Sequence, residues 1–355
     1  MNWRYIRNRG VFMSFELLGI TVLWTFLFGY LIVASIDFGA GFFMYYSTIS
    51  GTRHIIHDMI ERYLSPVWEV TNVFLVFFFV GIIGFFPDIG FYLGTALLIP
   101  GSIAIVLLAI RGSYYAFSFY GKANNPIYNL LYGATGLLIP AALSTVLTIS
   151  EGGYIRVNDN GKVIFLAKEL FTSQYSWSVV ILALVSVLYI SSMFLSYYAF
   201  KASDKGAYRV VRNYALIWSL PTLLASLFVF FSIYSHNREH FNKMLDIWWV
   251  FLLSIICFLV AIYLLYTNKQ LGWSFVFVIL QFASAFYGYG AGHLPYVLYP
   301  YVTIYNNFTN ENMALALVVA FILGLALLVP SLYLLLKLFL FNSEYVKGKH
   351  GYEPR

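Results

Sequence analysis

Charge is scarce in this sequence, and the scarcity decides its class. Only 10% of the 355 residues are charged and 61% are hydrophobic, against about 25% charged in a soluble domain. Too few polar atoms are present to cover a water-exposed sphere of this size, which excludes a soluble enzyme and a disordered chain. Cysteine is nearly absent. Cys257 stands alone, so the chain builds neither a disulfide framework nor a cysteine-rich metal site, and its apolar setting predicts an inert buried thiol. A basic stripe is lacking too: the formal charge of +6 is spread over short segments, the pattern of membrane loops, so no nucleic-acid partner is expected. Walker, nucleophile-elbow, zinc-protease and Rossmann sequences are all missing.

What is present is apolar length. A bilayer core takes about 20 mostly apolar residues per helix, and nine runs qualify: 16–38, 67–86, 91–112, 127–149, 176–200, 210–234, 246–266, 271–290 and 313–340. They are continuous and do not alternate at period two. Spanning segments must satisfy their own N–H and C=O groups, which predicts helices. The expected class is therefore an all-α polytopic membrane protein with nine transmembrane helices. Phe86-Pro87-Asp88 with Gly90 predicts a tight turn between the second and third spans, and Asn124-Asn125-Pro126 opens the fourth. Pro140, Pro221 and Pro330 lie inside spans and are expected to kink them. The long polar connections are 150–175 and 291–312, with a tail at 341–355.

Positive residues set orientation. With the first loop cytoplasmic, 13 Lys and Arg fall inside and 8 outside, placing the N-terminus outside and the C-terminus in the cytoplasm. Arg4, Arg7 and Arg9 break the rule. Met13-Ser14-Phe15 is a better start, so residues 1–12 read as an N-terminal extension, and the first span as an uncleaved helix.

Ionisable groups within spans are costly and mark function. Asp37 lies near the inner end of the first span, Glu69 at the start of the second and Arg111 near the inner end of the third. All three fall at the cytoplasmic side. Desolvation raises a carboxyl pKa toward neutrality and an arginine opposes that shift, a combination suited to proton loading. The bland alternative has Asp37 and Glu69 capping helix ends and Arg111 as a positive-inside anchor. Asp88 reads as a solvated turn residue. His54, His57, His236, His240, His293 and His350 all lie outside the span centres where haem iron would be ligated. The pairs His54/His57 and His236/His240 could each share a helix face and bind a metal, but their polar surroundings read as ordinary interfacial loops. No haem or metal centre is expected in this chain. Among 34 Phe, 30 Tyr and 8 Trp, the Phe-rich run 74–86 reads as lipid-facing bulk. The segment from Tyr287 to Tyr301, rich in Gly, Tyr and Pro, reads as a rigid cap or docking surface.

Four motifs carry a family resemblance: Ser35-Ile36-Asp37-Phe38-Gly39-Ala40-Gly41, Ser65-Pro66-Val67-Trp68-Glu69-Val70-Thr71-Asn72-Val73-Phe74, Arg111-Gly112 with Tyr115-Ala116-Phe117, and Gly292-His293-Leu294-Pro295-Tyr296. Their order and spacing, from Met13 to the ninth span, resemble subunit II of cytochrome bd-type quinol oxidases. The resemblance implies two four-helix bundles (13–149 and 176–290) plus one peripheral helix (313–340), in a bacterial cytoplasmic membrane. It implies pairing with a larger subunit I that holds haem b, haem d and the site of quinol oxidation, while this chain holds none. Small single-helix accessory subunits and membrane lipids are further partners it suggests. Asp37 and Glu69 match carboxylates lining a cytoplasmic proton route at the subunit interface, Glu69 standing where many members have Asp. Trp68 and Asn72 match neighbours of that acid, and Arg111 matches an arginine that meets acidic groups such as the partner's haem propionates. Some relatives carry a further acid after that arginine. Residues 112–121 contain none, so the route would be shorter or completed by water with Ser113 or Ser118. The runner-up is a proton-coupled secondary transporter, but the matched pair of broken helices common in such folds is not evident. A third reading is a purely structural membrane subunit.

Overall fold

The computed structural model describes residues 14–120, 126–306, 308–335 and 337–338, without the side chains of 58, 61–70, 115–120 and 126. The expectations for residues 1–12, His350 and the tail lie outside the described residues, as do the side chains of Trp68 and Glu69.

The chain folds almost entirely into helices: α1 (Phe15–Ile49), α2 (Arg53–Phe85), α3 (Pro87–Ala96), α4 (Leu98–Tyr120), α5 (Pro126–Ser150), α6 (Ala167–Thr172), α7 (Gln174–Lys201), α8 (Lys205–His236), α9 (Arg238–Asp246), α10 (Trp248–Tyr266), α11 (Leu271–His293) and α12 (Glu311–Leu335). Two antiparallel hairpins complete it, β1 (Ile155–Val157) with β2 (Val163–Phe165), and β3 (Tyr296–Leu298) with β4 (Val302–Thr303). Among the described residues, seven helices are individually long and apolar enough to cross a bilayer, and an eighth crossing arises if the bent pair α3–α4 counts as one. The protein is a multi-pass membrane protein.

Local chemistry sets the helix ends. Ser14, Ser173, Asp204 and Asn237 cap α1, α7, α8 and α9, each side chain accepting from a first-turn N–H. Pro87 and Pro126 take the first positions of α3 and α5, where a missing N–H costs nothing. Two expectations are corrected. The third span is not one straight helix. The chain breaks at Leu97 and turns by 81°, because Pro100 can neither donate to nor clear the carbonyl of residue 96. The first span does not end at residue 38, since α1 runs on through polar Ser47 and Thr48 to Ile49.

Helix α1 is the central strut, packed against α2, α5, α7, α11 and α12. Two glycines permit its closest approaches. A Cβ on Gly39 would collide with Ser191 and the Val187 carbonyl of α7, and one on Gly136 of α5 would collide with the Phe38 carbonyl. Small residues let membrane helices approach backbone to backbone. Ser191 uses the proximity to donate to the Ile36 carbonyl at 2.9 Å. The Phe-rich run of α2 is also corrected. Phe74, Phe78 and Phe85 are buried, with Phe74 and Phe77 against Phe26 of α1 and Phe77 and Phe85 against Phe321 of α12. Val76, Val80 and Ile83 hold its exposed face. Cys257 is a free thiol buried in α10, as expected.

Candidate functional site

Asp37 and Arg111 meet inside the protein, although 74 residues separate them. Each is 1% exposed. The Arg111 Nε donates to Asp37 Oδ2 at 3.0 Å, Nη2 donates to the Asp37 carbonyl at 2.7 Å, and Nη1 donates to the Tyr132 carbonyl at 3.0 Å. The Tyr132 hydroxyl donates to Asp37 Oδ1 at 3.4 Å. The guanidinium carbon lies 4.0 Å from the centre of the Tyr132 ring and 5.2 Å from that of Phe38, so a cation–π contact adds to the ion pair. Tyr114 stacks on the other side of Tyr132, with centroids 4.2 Å apart. Three helices build the cluster, α1 giving Asp37, α4 giving Arg111 and α5 giving Tyr132.

The arrangement overturns the bland alternative for these two residues. Asp37 caps nothing, since residues 38–49 of α1 follow it, and Arg111 is no surface anchor. Among the described residues, the acid that Arg111 meets is Asp37. An arginine keeps its proton in a protein, so a proton arriving at Asp37 must weaken the Nε contact. Two buried polar atoms nearby, the Tyr30 hydroxyl two turns before Asp37 and Asn129 Oδ1 one turn before Tyr132, have no partner among the described residues. Buried polar groups are otherwise almost always satisfied by protein or water. Asn72 is half-buried on α2 below the buried Thr71.

A second polar cluster escaped the sequence reading. Glu151 follows the end of α5 and is 1% exposed. Gly152 and Gly153, with φ of +92° and +85°, turn the chain there in a way L side chains resist, folding Glu151 inward. Its Oε1 accepts from Asn237 Nδ2 at 2.9 Å and lies 2.8 Å from His240 Nδ1. Its Oε2 accepts from the Tyr289 hydroxyl at 2.8 Å and lies 3.4 Å from His293 Nδ1. Burial alone would raise the Glu151 pKa. The hydrogen bonds and charge of His240 and His293 outweigh it and hold the carboxyl well below the usual range. His240 Nε2 donates to the Tyr289 carbonyl at 3.1 Å, so a proton must also lie between Nδ1 and Glu151, and the pair is neutral overall. His236 does not share a face with His240. It ends α8, while Asn237 breaks the chain and caps α9. His236 stacks between Tyr154 and Tyr175 and contacts the Gly152 carbonyl. His54 and His57 lie in the first two turns of α2, not in a loop.

The fold and the site define a multi-pass membrane protein with a fully buried Asp–Arg pair at the junction of three helices. Comparison with known proteins gives the family. Residues 15–339 match the family described as Cytochrome bd terminal oxidase subunit II. The chain is 35% identical over 341 residues to a Bacillus subtilis (strain 168) protein provisionally assigned as a cytochrome bd menaquinol oxidase subunit II, covering 93% of this chain and 97% of that protein. It is also similar to a chain in the structure of bd oxidase from Geobacillus thermodenitrificans, with a TM-score of 0.81 and 57% identity, covering 93% of this chain and all of the other. The chain belongs to the cytochrome bd terminal oxidase subunit II family. That membership implies a partner subunit I and haem in the complex, and it does not favour the transporter reading.

Proposed function

We propose that this chain is the haem-free subunit of a quinol-oxidising, oxygen-reducing bd oxidase, and that it carries protons from the cytoplasm toward subunit I by way of Asp37 and Glu69. The observation that carries the reading is the Asp37–Arg111 pair, a buried charge cluster flanked by the Tyr30 hydroxyl and Asn129 Oδ1, which have no partner among the described residues. Intramembrane charges are retained where they line a path, and the unpartnered atoms suit water along it. In this scheme Glu69, on the adjoining α2, is the exchangeable acid, and Trp68 and Asn72 flank it at the subunit interface. Asp37 is the fixed partner whose protonation loosens Arg111.

The scheme takes nine spans, adding α2 to the seven apolar helices and the bent pair. The packing of α1, α5 and α7 on one another is what two bundles joined along those helices would require. The described histidines suit a chain whose haems reside in subunit I. His54, His57, His236 and His293 stand at helix ends, and His240 lies in the nine-residue α9. Bound in the partner, haem would supply electron transfer and oxygen reduction; this chain would hold and move the proton. The positive-inside count puts the hairpins outside and the Asp37 end of α1 toward the cytoplasm.

The test is oxidase turnover in the purified complex carrying Asp37→Asn or Glu69→Gln. Both variants should lose turnover while the haem optical spectrum keeps its wild-type amplitude. Wild-type turnover in both would defeat the proton route.

A further inference from the structure

The geometry points to a divalent transition-metal site, suited to Zn²⁺, formed by Glu151, His240 and His293 where α5, α9 and α11 meet. These three buried side chains each present one ligand atom, all within 4.8 Å of one another. Two imidazoles and one carboxylate are the donor set of three-ligand zinc sites that keep a fourth position open, and imidazole with carboxylate favours borderline metals over Mg²⁺ or Ca²⁺.

Three further features fit an ion. His240 Nε2 donates to the Tyr289 carbonyl at 3.1 Å, the outer hydrogen bond that fixes a ligating histidine with its other nitrogen toward the metal. Asn237 and Tyr289 hold the carboxylate at 2.9 and 2.8 Å, so the ligand is oriented before anything binds. His293 is 9% exposed and turns its Nδ1 toward the Glu151 carboxylate at 3.4 Å. A small cleft lined by His240, His293, Asn237 and Tyr296 touches two of the three ligands. The Lys243 ammonium at that cleft is committed to Glu239 at 2.8 Å and to the Leu294 carbonyl at 3.0 Å, which tempers its repulsion of a cation.

Binding is an exchange of cations. A proton now bridges His240 Nδ1 and Glu151 Oε1 at 2.8 Å. Two ligands on a tetrahedral zinc with bonds of about 2.05 Å stand roughly 3.3 Å apart, so the metal takes the proton's place with a shift of about half an ångström. Proton release accompanies it. His293 Nδ1 lies 3.4 Å from the other carboxylate oxygen, Oε2, so it joins the same ion by a small turn of its ring or of the carboxylate. The ion would staple the end of α5 to α9 and to the end of α11.

The experiment uses the intact oxidase complex, cleared of adventitious metal with a chelator and titrated with Zn²⁺ against a chromophoric zinc chelator. One Zn²⁺ should bind this site in the wild type, with X-ray absorption showing two imidazoles and only N/O donors. His293→Ala should weaken it by more than ~100-fold, beyond the 10–100-fold expected for Tyr289→Phe, which removes only an outer hydrogen bond. Haem spectra report assembly of each variant. Undiminished binding in an assembled His293→Ala complex would overturn the proposal, as would a wild type that binds no Zn²⁺ under these conditions. Where the variants fail to assemble, the wild-type absorption spectrum decides: any donor set other than two imidazoles with oxygen rejects the site.

Discussion

Replacing Asp37 by Asn separates the structural role of the buried pair from its chemical one. The amide keeps an oxygen that can accept from Arg111 Nε but loses the charge opposing a guanidinium that is 1% exposed. Removing one partner of a buried pair costs about 3–5 kcal/mol, most of it the uncompensated charge left behind. The retained acceptor, the Tyr132 carbonyl bond and the ring contact at 4.0 Å place Asp37→Asn at the lower end, about 3 kcal/mol. That is roughly a hundredfold in a folding equilibrium and several degrees in thermal midpoint. Adding Arg111→Met removes the stranded cation while filling its volume, and buried pairs exchanged for apolar groups often lose little. The Tyr132 carbonyl keeps its bond from Thr135. The double variant should therefore recover most of the midpoint, measured by haem-monitored melting of the complex, yet keep the low turnover of Asp37→Asn because no acid has returned. Recovery of turnover along with stability would refute a chemical role for Asp37. An Asp37→Asn complex as stable as wild type would refute the energetic argument itself.

Gly39→Ala should destabilise the complex by about 1–3 kcal/mol, the usual cost of overpacking, because its Cβ meets Ser191 and the Val187 carbonyl. Gly94→Ala, where a Cβ meets nothing within 4 Å, should be neutral or slightly stabilising, and the two melting curves are to be compared side by side. Tyr289→Phe strands one lone pair of the buried Glu151 carboxylate, at about 1–3 kcal/mol; an unchanged midpoint would mean the 2.8 Å hydroxyl contact contributes nothing. Glu69→Asp, which shortens the arm but keeps the acid, should retain more turnover than Glu69→Gln. Equal losses in steady-state oxygen consumption would mean that arm length, not titration, matters at that position.

The membrane class was legible because hydropathy and helix termini are local properties. Pro87 and Pro126 opened helices where the sequence placed breaks, and Pro140, Pro221 and Pro330 lie within helices as read. Which face a span buries was not legible. Lipid and helix core are equally apolar, so Phe74 and Phe78, which pack inward, look no different in sequence from the exposed Val76 and Val80. The 81° break at Leu97 needed attention to Pro100, which lies inside a run that is apolar throughout. Asp37 and Arg111 were found because a charge in an apolar run is conspicuous. Their mutual contact, 74 residues apart, depended on how α1, α4 and α5 pack. Glu151 was missed because it stands just past a span, where an acid is expected to face water, and its partners lie 86 to 142 residues away. The signal that was available is the Gly152-Gly153 pair, which can turn the chain back on itself at a helix end.

Proton uptake tests the central claim most directly. In vesicles holding the oxidase in one orientation, an oxygen pulse should draw protons from the cytoplasmic-side medium at the rate of oxygen reduction in the wild type. With Glu69→Gln that uptake should slow by at least tenfold, while the haems reduce with unchanged amplitude. Unchanged uptake kinetics in a fully haem-loaded Glu69→Gln complex would show that protons reach the oxygen site by a route this chain does not provide.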